Sequence, residues 1–189
     1  MSKIILLNGC GSSGKTTIAK SIQHLSNEPW LHIGVDNILD LMPSRYTALG
    51  DKSKNSYCNF IPSKNERGKT INIECSEKGI KMFDMLPKFA KQLADLGENV
   101  IIDEVMVSKN QEDIYFETLK PHKICFVGVY CNLEVMQSRE ILRGDRCIGL
   151  SNAQFNIVHK GLEEKYNLTV DTTNTPPFEL ANKILEFIK

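Results

Sequence analysis

The sequence predicts an α/β fold: a mostly parallel five-stranded sheet with helices on both faces. Three observations carry that prediction. Short apolar runs alternate with longer amphipathic ones, the first apolar run leads into a glycine-rich loop, and a helical pattern follows that loop directly.

Taken in order, a strand at 3–8 precedes the loop and a helix at 15–26, and a second strand at 31–35 precedes a helix at 36–41. A helix spans 77–96, with a kink or break expected at Pro87, because proline lacks the N–H that the helical ladder needs. Strands at 99–103, 123–131 and 168–170 then alternate with helices at 111–119, 133–143, 152–165 and 178–188. The last helix shows the period most clearly, with Phe178, Ala181, Ile184, Leu185 and Ile188 on one stripe and Pro176-Pro177 at its start.

One stretch breaks the alternation. Residues 44–67 are polar, and 57–61 can pair with 69–75 as a hairpin whose turn lies at 63–68. From 44 to 69 there are six basic residues (Arg45, Lys52, Lys54, Lys64, Arg67, Lys69) against two acidic ones. The segment at about 44–75 reads equally as a solvated insertion or as a lid over a substrate. The rest reads as a single domain over 1–189, with a second, phosphate-covering lid at about 139–150.

At 189 residues the chain buries enough surface to fold without staples. Its 23 basic and 23 acidic residues balance, which argues against a duplex-binding domain. The composition is 41% hydrophobic, so disorder is excluded as well. No run approaches the ~20 apolar residues of a membrane span, and the apolar part of Met1 to Leu7 is too short for a signal peptide. Six cysteines without a Cys-x-x-Cys pair suit neither zinc nor a redox dithiol, so the expectation is free thiols in a cytoplasmic protein.

Gly9-Cys10-Gly11-Ser12-Ser13-Gly14-Lys15-Thr16 matches G-x-x-x-x-G-K-[ST] in full. A random chain this long would match on the order of one time in a hundred, and the strand and helix around it strengthen the signal further. The glycines let successive N–H groups point into one concave anion site, and the helix start adds its positive dipole end. Lys15 reaches the β- and γ-phosphates and the Thr16 hydroxyl ligates Mg²⁺, so Gly9, Gly11, Ser12, Ser13, Gly14, Lys15, Thr16 and Thr17 are the candidate ATP contacts. Asp103 ends an apolar strand and is the candidate second metal residue, whereas Glu104 points to the opposite face. Asp36 closes the second strand, where it can take the proton of an acceptor hydroxyl or cap the following helix. Arg139, Arg143 and Arg146 are spaced by four and three, as phosphate-neutralising arginines or as a solvated basic face. Gly144-Asp145 places the helix end before Arg146.

Among smaller signals, Cys10 sits in the loop, where the local field favours a thiolate, or fills space as an inert small residue. Trp30 reads as a packing residue, and His159 as a helix-surface or core histidine. Asp171-Thr172-Thr173 reads as a cap for the last helix or as the border of a purine pocket.

Several of these segments resemble the chloramphenicol phosphotransferase family. They are Ile5 through Thr16, Glu28-Pro29-Trp30-Leu31, Gly34-Val35-Asp36 through Met42-Pro43, Ile101-Ile102-Asp103, and Val127-Gly128-Val129 with Cys131. Arg139-Glu140, Arg143-Gly144-Asp145-Arg146, His159 with Gly161, and Val170-Asp171-Thr172-Thr173 continue the series. The match is dense in 4–43 and 139–146 and thin across 44–98. It implies a P-loop nucleotide-kinase-like three-layer fold and transfer of the ATP γ-phosphate to the hydroxyl of a small molecule. It further implies Asp36 as the base and Arg143 and Arg146 as residues acting at the phosphates. Two other readings of the same residues stay open: a kinase of this fold for an anionic metabolite, which the basic insertion favours, and a nucleotide-binding regulatory NTPase.

Overall fold

A computed structural model describes residues 2–47, 56–144 and 147–189. Among these residues a five-stranded sheet is built from β1 (Lys3–Asn8), β2 (Trp30–Gly34), β5 (Asn99–Glu104), β6 (Lys123–Tyr130) and β7 (Leu168–Asp171). Its order is β2-β5-β1-β6-β7 and every pairing is parallel. A parallel sheet is covered on both faces, so its strands read as continuous apolar runs, as Ile4–Leu7 and Val100–Ile102 do.

The pleat splits β1 between two cores. Ile5 and Leu7 pack with α1 (Lys15–Leu25) and α8 (Pro177–Ile188) on one face. Ile4 and Leu6 pack with α2 (Val35–Leu41), α4 (Met85–Asp95) and α5 (Lys109–Leu119) on the other. Trp30 joins the first core, as a packing residue.

Between β2 and β5 the chain adds β3 (Cys58–Asn65) and β4 (Gly68–Cys75), an antiparallel hairpin closed at Glu66-Arg67, with Gly68 at φ 106°. The hairpin is longer and its turn tighter than the sequence suggests. The register sets Cys58 opposite Cys75, and the two form a disulfide across a sequence separation of 17. The expectation of six free thiols is thereby corrected: strand pairing joined two cysteines whose spacing carries no signal. Cys10, Cys125, Cys131 and Cys147 stand outside any disulfide among the described residues.

Of two helical expectations, one is met and one changes. The helix expected at 77–96 is divided at Asp84 into α3 (Glu77–Phe83) and α4. The expected break is met one turn before Pro87, the third residue of α4: an unbroken helix would need its N–H for the Phe83 carbonyl, and proline has none to give. The helix expected at 152–165 is only α7 (Leu150–Gln154), followed by turns and a short 3-10 segment at Glu163–Lys165. Beyond α7 the Val158 carbonyl accepts from Asn8 Nδ2 at 3.1 Å and Gly161 takes φ 78°, so the chain leaves the helical path. The segment between β6 and α7 is α6 (Leu133–Arg143), which ends at Gly144 in the left-handed conformation (φ 69°).

Tyr166 fixes this last region beneath the sheet. Its hydroxyl accepts from Asn8 Nδ2 at 2.8 Å and lies 2.7 Å from His159 Nδ1, and its ring covers Gly128. A β-carbon at Gly128 would stand 2.8 Å from two ring carbons of Tyr166. Gly128→Ala is accordingly expected to cost about 1–3 kcal/mol, read as a lowered urea midpoint.

Candidate active site

The loop from Gly9 to Gly14 joins β1 to α1, and its backbone is bent as an anion cradle requires. Gly14 has φ 95° and Ser12 has φ 63°, the one non-glycine residue at positive φ among those described. No side chain caps the N-terminus of α1, so its first N–H groups face the loop's concavity. The Ser12 and Ser13 hydroxyls are buried without a hydrogen-bond partner. Unpartnered buried hydroxyls beside open N–H groups fit a bound phosphate chain. A β-carbon at Gly9 would meet the Val129 carbonyl at 2.5 Å, so Gly9 serves the packing of the loop on β6. Thr17 is exposed on α1, and its carbonyl accepts from Ser21 Oγ.

Lys15 folds back into the loop, donating from Nζ to the Gly9 and Cys10 carbonyls at 2.9 Å each. Its ammonium also lies 3.6 Å from Asp103 Oδ1. Asp103 arrives from β5, which pairs directly with β1, and accepts from Thr16 Oγ1 at 2.6 Å. Burial pushes the Asp103 carboxyl up, but Lys15, His32 and Thr16 more than offset this and hold it at about 2. A buried anionic carboxylate joined to a hydroxyl is a donor set that fits a hard divalent cation such as Mg²⁺. Gly34 on β2 lies alongside, where a β-carbon would come 3.1 Å from Asp103 Cβ.

Glu104, one residue on, turns to the other face of the sheet, where Tyr115 donates to it and Val105 N–H donates to it at 2.7 Å. Burial pushes its carboxyl up. The pleat thus divides the two acids: Asp103 lies with Thr16 and Lys15, and Glu104 lies with Tyr115 of α5.

Asp36 does not cap α2. That position belongs to Gly34, whose N–H donates to the Asn37 side chain at 2.8 Å, and Asp36 falls within the first turn. Asp36 lines a cavity of about 870 Å³ together with Gly11, Lys15, Thr16 and Asp103. Apolar side chains also line that cavity, Phe60, Ile71 and Ile73 of the hairpin and Ile80 and Phe83 of α3, with Asn72 and Asp84 among them. The basic residues 64, 67 and 69 do not line it. Lys64 and Lys69 are exposed, and Arg67 donates from Nε to Asn152 Oδ1 at 2.9 Å. Lys52 and Lys54 lie outside the described residues.

Arg139 braces the loop: its guanidinium donates to Thr172 Oγ1 at 3.1 Å, to the Thr172 carbonyl at 2.8 Å and to the Ser12 carbonyl at 3.4 Å. Thr172 Oγ1 in turn donates to the Ser13 carbonyl at 2.7 Å. Thr172 therefore ties β7 to the loop, a role its sequence context does not announce. Arg143 lines the cavity, and Arg146 lies outside the described residues. The sequence also gives no signal for Gln154, whose Oε1 accepts from Gly11 N–H at 2.6 Å and whose side chain borders the same cavity.

Burial pushes the Cys10 thiol up to about 11 despite Lys15 nearby, which favours the inert, space-filling reading of Cys10 over the thiolate. Burial also lowers His159 to about 4, with Lys15 adding to the effect. The unfolded chain then binds the proton first as pH falls, so this histidine's contribution to stability is full above about pH 6.5 and declines toward pH 4. Thermal unfolding followed between those values should show a shallower decline in His159→Gln than in the parent.

A family model described as "Chloramphenicol phosphotransferase-like protein" matches residues 2–189. A Mycobacterium tuberculosis (strain H37Rv) protein named "Putative O-phosphotransferase" is 30% identical over 196 residues, covering 97% of this chain and 81% of its own. Among solved structures, the M. tuberculosis APS kinase CysC, in complex with AMPPNP and APS, superposes with a TM-score of 0.65 at 12% identity, over 98% of this chain and 96% of that one. Shikimate kinase from Acinetobacter baumannii, in complex with shikimate, gives 0.56 at 15% identity, over 100% and 93%. The two structures share this fold.

Proposed function

The chain belongs to the chloramphenicol phosphotransferase-like family, and from that premise we propose that it transfers the γ-phosphate of ATP to a hydroxyl of an uncharged, largely apolar small molecule. One observation carries the reading: the glycine-rich loop with Lys15 and Thr16, Asp36, and the apolar side chains of Phe60, Ile71, Ile73, Ile80 and Phe83 all line one cavity. A charged acceptor would lose hydration against Phe60, Ile71 and Ile73 without gaining a partner there. The basic excess of the insertion, as far as it is described, lies outside the cavity.

In this mechanism the cradle and Lys15 bind the phosphate chain, and the acceptor oxygen attacks the γ-phosphorus. The bond from that phosphorus to the β–γ bridging oxygen breaks, the hydroxyl proton passes to the Asp36 carboxylate, and ADP leaves. Thr16 and Asp103 would hold a Mg²⁺ ion, which neutralises charge on the phosphates. Arg143 and Arg146 act on the transferring group, while Arg139 holds the loop. Because the transition state is loose, positioning and electrostatics supply most of the rate.

The test is a panel of neutral alcohols, chloramphenicol among them, and of anionic metabolites, each incubated with Mg·ATP and read by mass spectrometry. Gain of one phosphoryl group by neutral members supports the reading. Gain confined to anionic members, or ADP release that no acceptor stimulates, overturns it.

A further inference from the structure

Gln154 is one of the few buried polar side chains that touch the phosphate loop from another element, at 5% exposure. Only its carbonyl oxygen can accept from the Gly11 N–H, so chemistry alone orients the carboxamide. Its Nε2, with both protons, has no protein acceptor among the described residues, and the residue borders the cavity that Lys15, Thr16 and Asp36 also line.

The element carrying it is held from two sides. Glu140 of α6 accepts from Ser151 N–H and, at 3.0 Å, from Gly149 N–H. Asn152 donates to the Lys69 carbonyl of the hairpin at 2.9 Å. Gly149 itself (φ 101°) lets α7 approach β4 so closely that a β-carbon would stand 2.8 Å from the Lys69 carbonyl. A donor fixed in place before the charge arrives needs no reorganisation to meet it.

We propose that Gln154 is a further catalytic residue, whose Nε2 donates a hydrogen bond to a non-bridging oxygen of the γ-phosphoryl group while Gly11 N–H holds the other end of the carboxamide. The inference rests on the function proposed above. The residue gives no proton; it stabilises charge on the group in transit as the bond to ADP breaks. A glutamate here keeps an acceptor for Gly11 N–H and loses the donor, which separates the two roles of the side chain. Methionine removes both.

The experiment compares the affinities of Mg·AMPPNP and Mg·ADP by titration calorimetry in the parent, Gln154→Glu and Gln154→Met. A hydrogen bond to a charged oxygen predicts that both variants lose about 10-fold or more in AMPPNP affinity while ADP affinity holds within about 3-fold. In Gln154→Glu the AMPPNP deficit should shrink, relative to the parent, between about pH 8 and about pH 5, because a protonated carboxyl donates again. Equal losses for both nucleotides would make Gln154 a loop-positioning residue and overturn the proposal, as would unchanged affinities or a deficit that pH does not alter. A parent chain that binds neither nucleotide would overturn the proposed function itself, which keeps the two failures distinct.

Discussion

Lys15→Met is expected to lower phosphoryl transfer by roughly 10²–10³-fold or more, the scale of losing one preorganised charge at a developing anion. The same change should destabilise the fold. Lys15 is the cation nearest to the buried Asp103 carboxylate, and burial alone would push that carboxyl up. Removing one partner of a buried pair typically costs about 3–5 kcal/mol, so the chemical-denaturation midpoint should fall as well. The two effects can be separated. Lys15→Met combined with Asp103→Asn removes the stranded charge and should recover much of the stability, yet none of the turnover. If the double variant regained turnover, Lys15 would be an electrostatic partner for Asp103 and would have no direct part in transfer.

The second large effect is at Asp36. Asp36→Asn preserves shape and a hydrogen-bonding side chain but leaves no base in the first turn of α2, beside Lys15 and Thr16. General-base contributions run to roughly 10²–10⁴-fold, and a loose phosphoryl transition state places this case toward the lower end. Affinity for ATP and ADP should hold, because the cradle that binds them is built from other residues. Acceptor-dependent product formation is the readout, with nucleotide titration as the control. Full activity in Asp36→Asn would remove the residue from the mechanism, and a parallel loss of nucleotide affinity would recast it as a binding residue.

These expectations rest on features of differing visibility in the sequence. The cradle was legible because its chemistry is local: eight consecutive residues carry the glycines, the lysine and the hydroxyl, and no distant contact is needed to read them. Asp103 and Asp36 were legible one step later, as the ends of apolar runs in a parallel sheet. The division of labour between Asp103 and Glu104 followed from the alternation of a strand. The hairpin's location was legible from its two short apolar patches, but its inward face was not. A count of basic residues over 44–69 suggested an anionic ligand, whereas Phe60, Ile71 and Ile73 face the cavity and the described lysines do not. Charge along a chain has no direction until strand pairing assigns each side chain a face.

The same reason accounts for the disulfide and for Gln154. Cys58 and Cys75 are ordinary in sequence and meet because the register of β3 and β4 places them opposite each other. Gln154 lies 143 residues from Gly11 and reaches it from α7, which Glu140 of α6 and the Lys69 carbonyl of the hairpin hold in place. By itself the sequence determined the order of strands and helices, the phosphate cradle and the candidate acids, all of which are written in periods and spacings of a few residues. Only the tertiary structure decided which side chains share the cavity, Phe60, Ile71 and Ile73 of the hairpin among them. It also decided that Arg139 and Thr172 brace the loop and Gln154 borders it, since those facts depend on contacts between residues far apart along the chain.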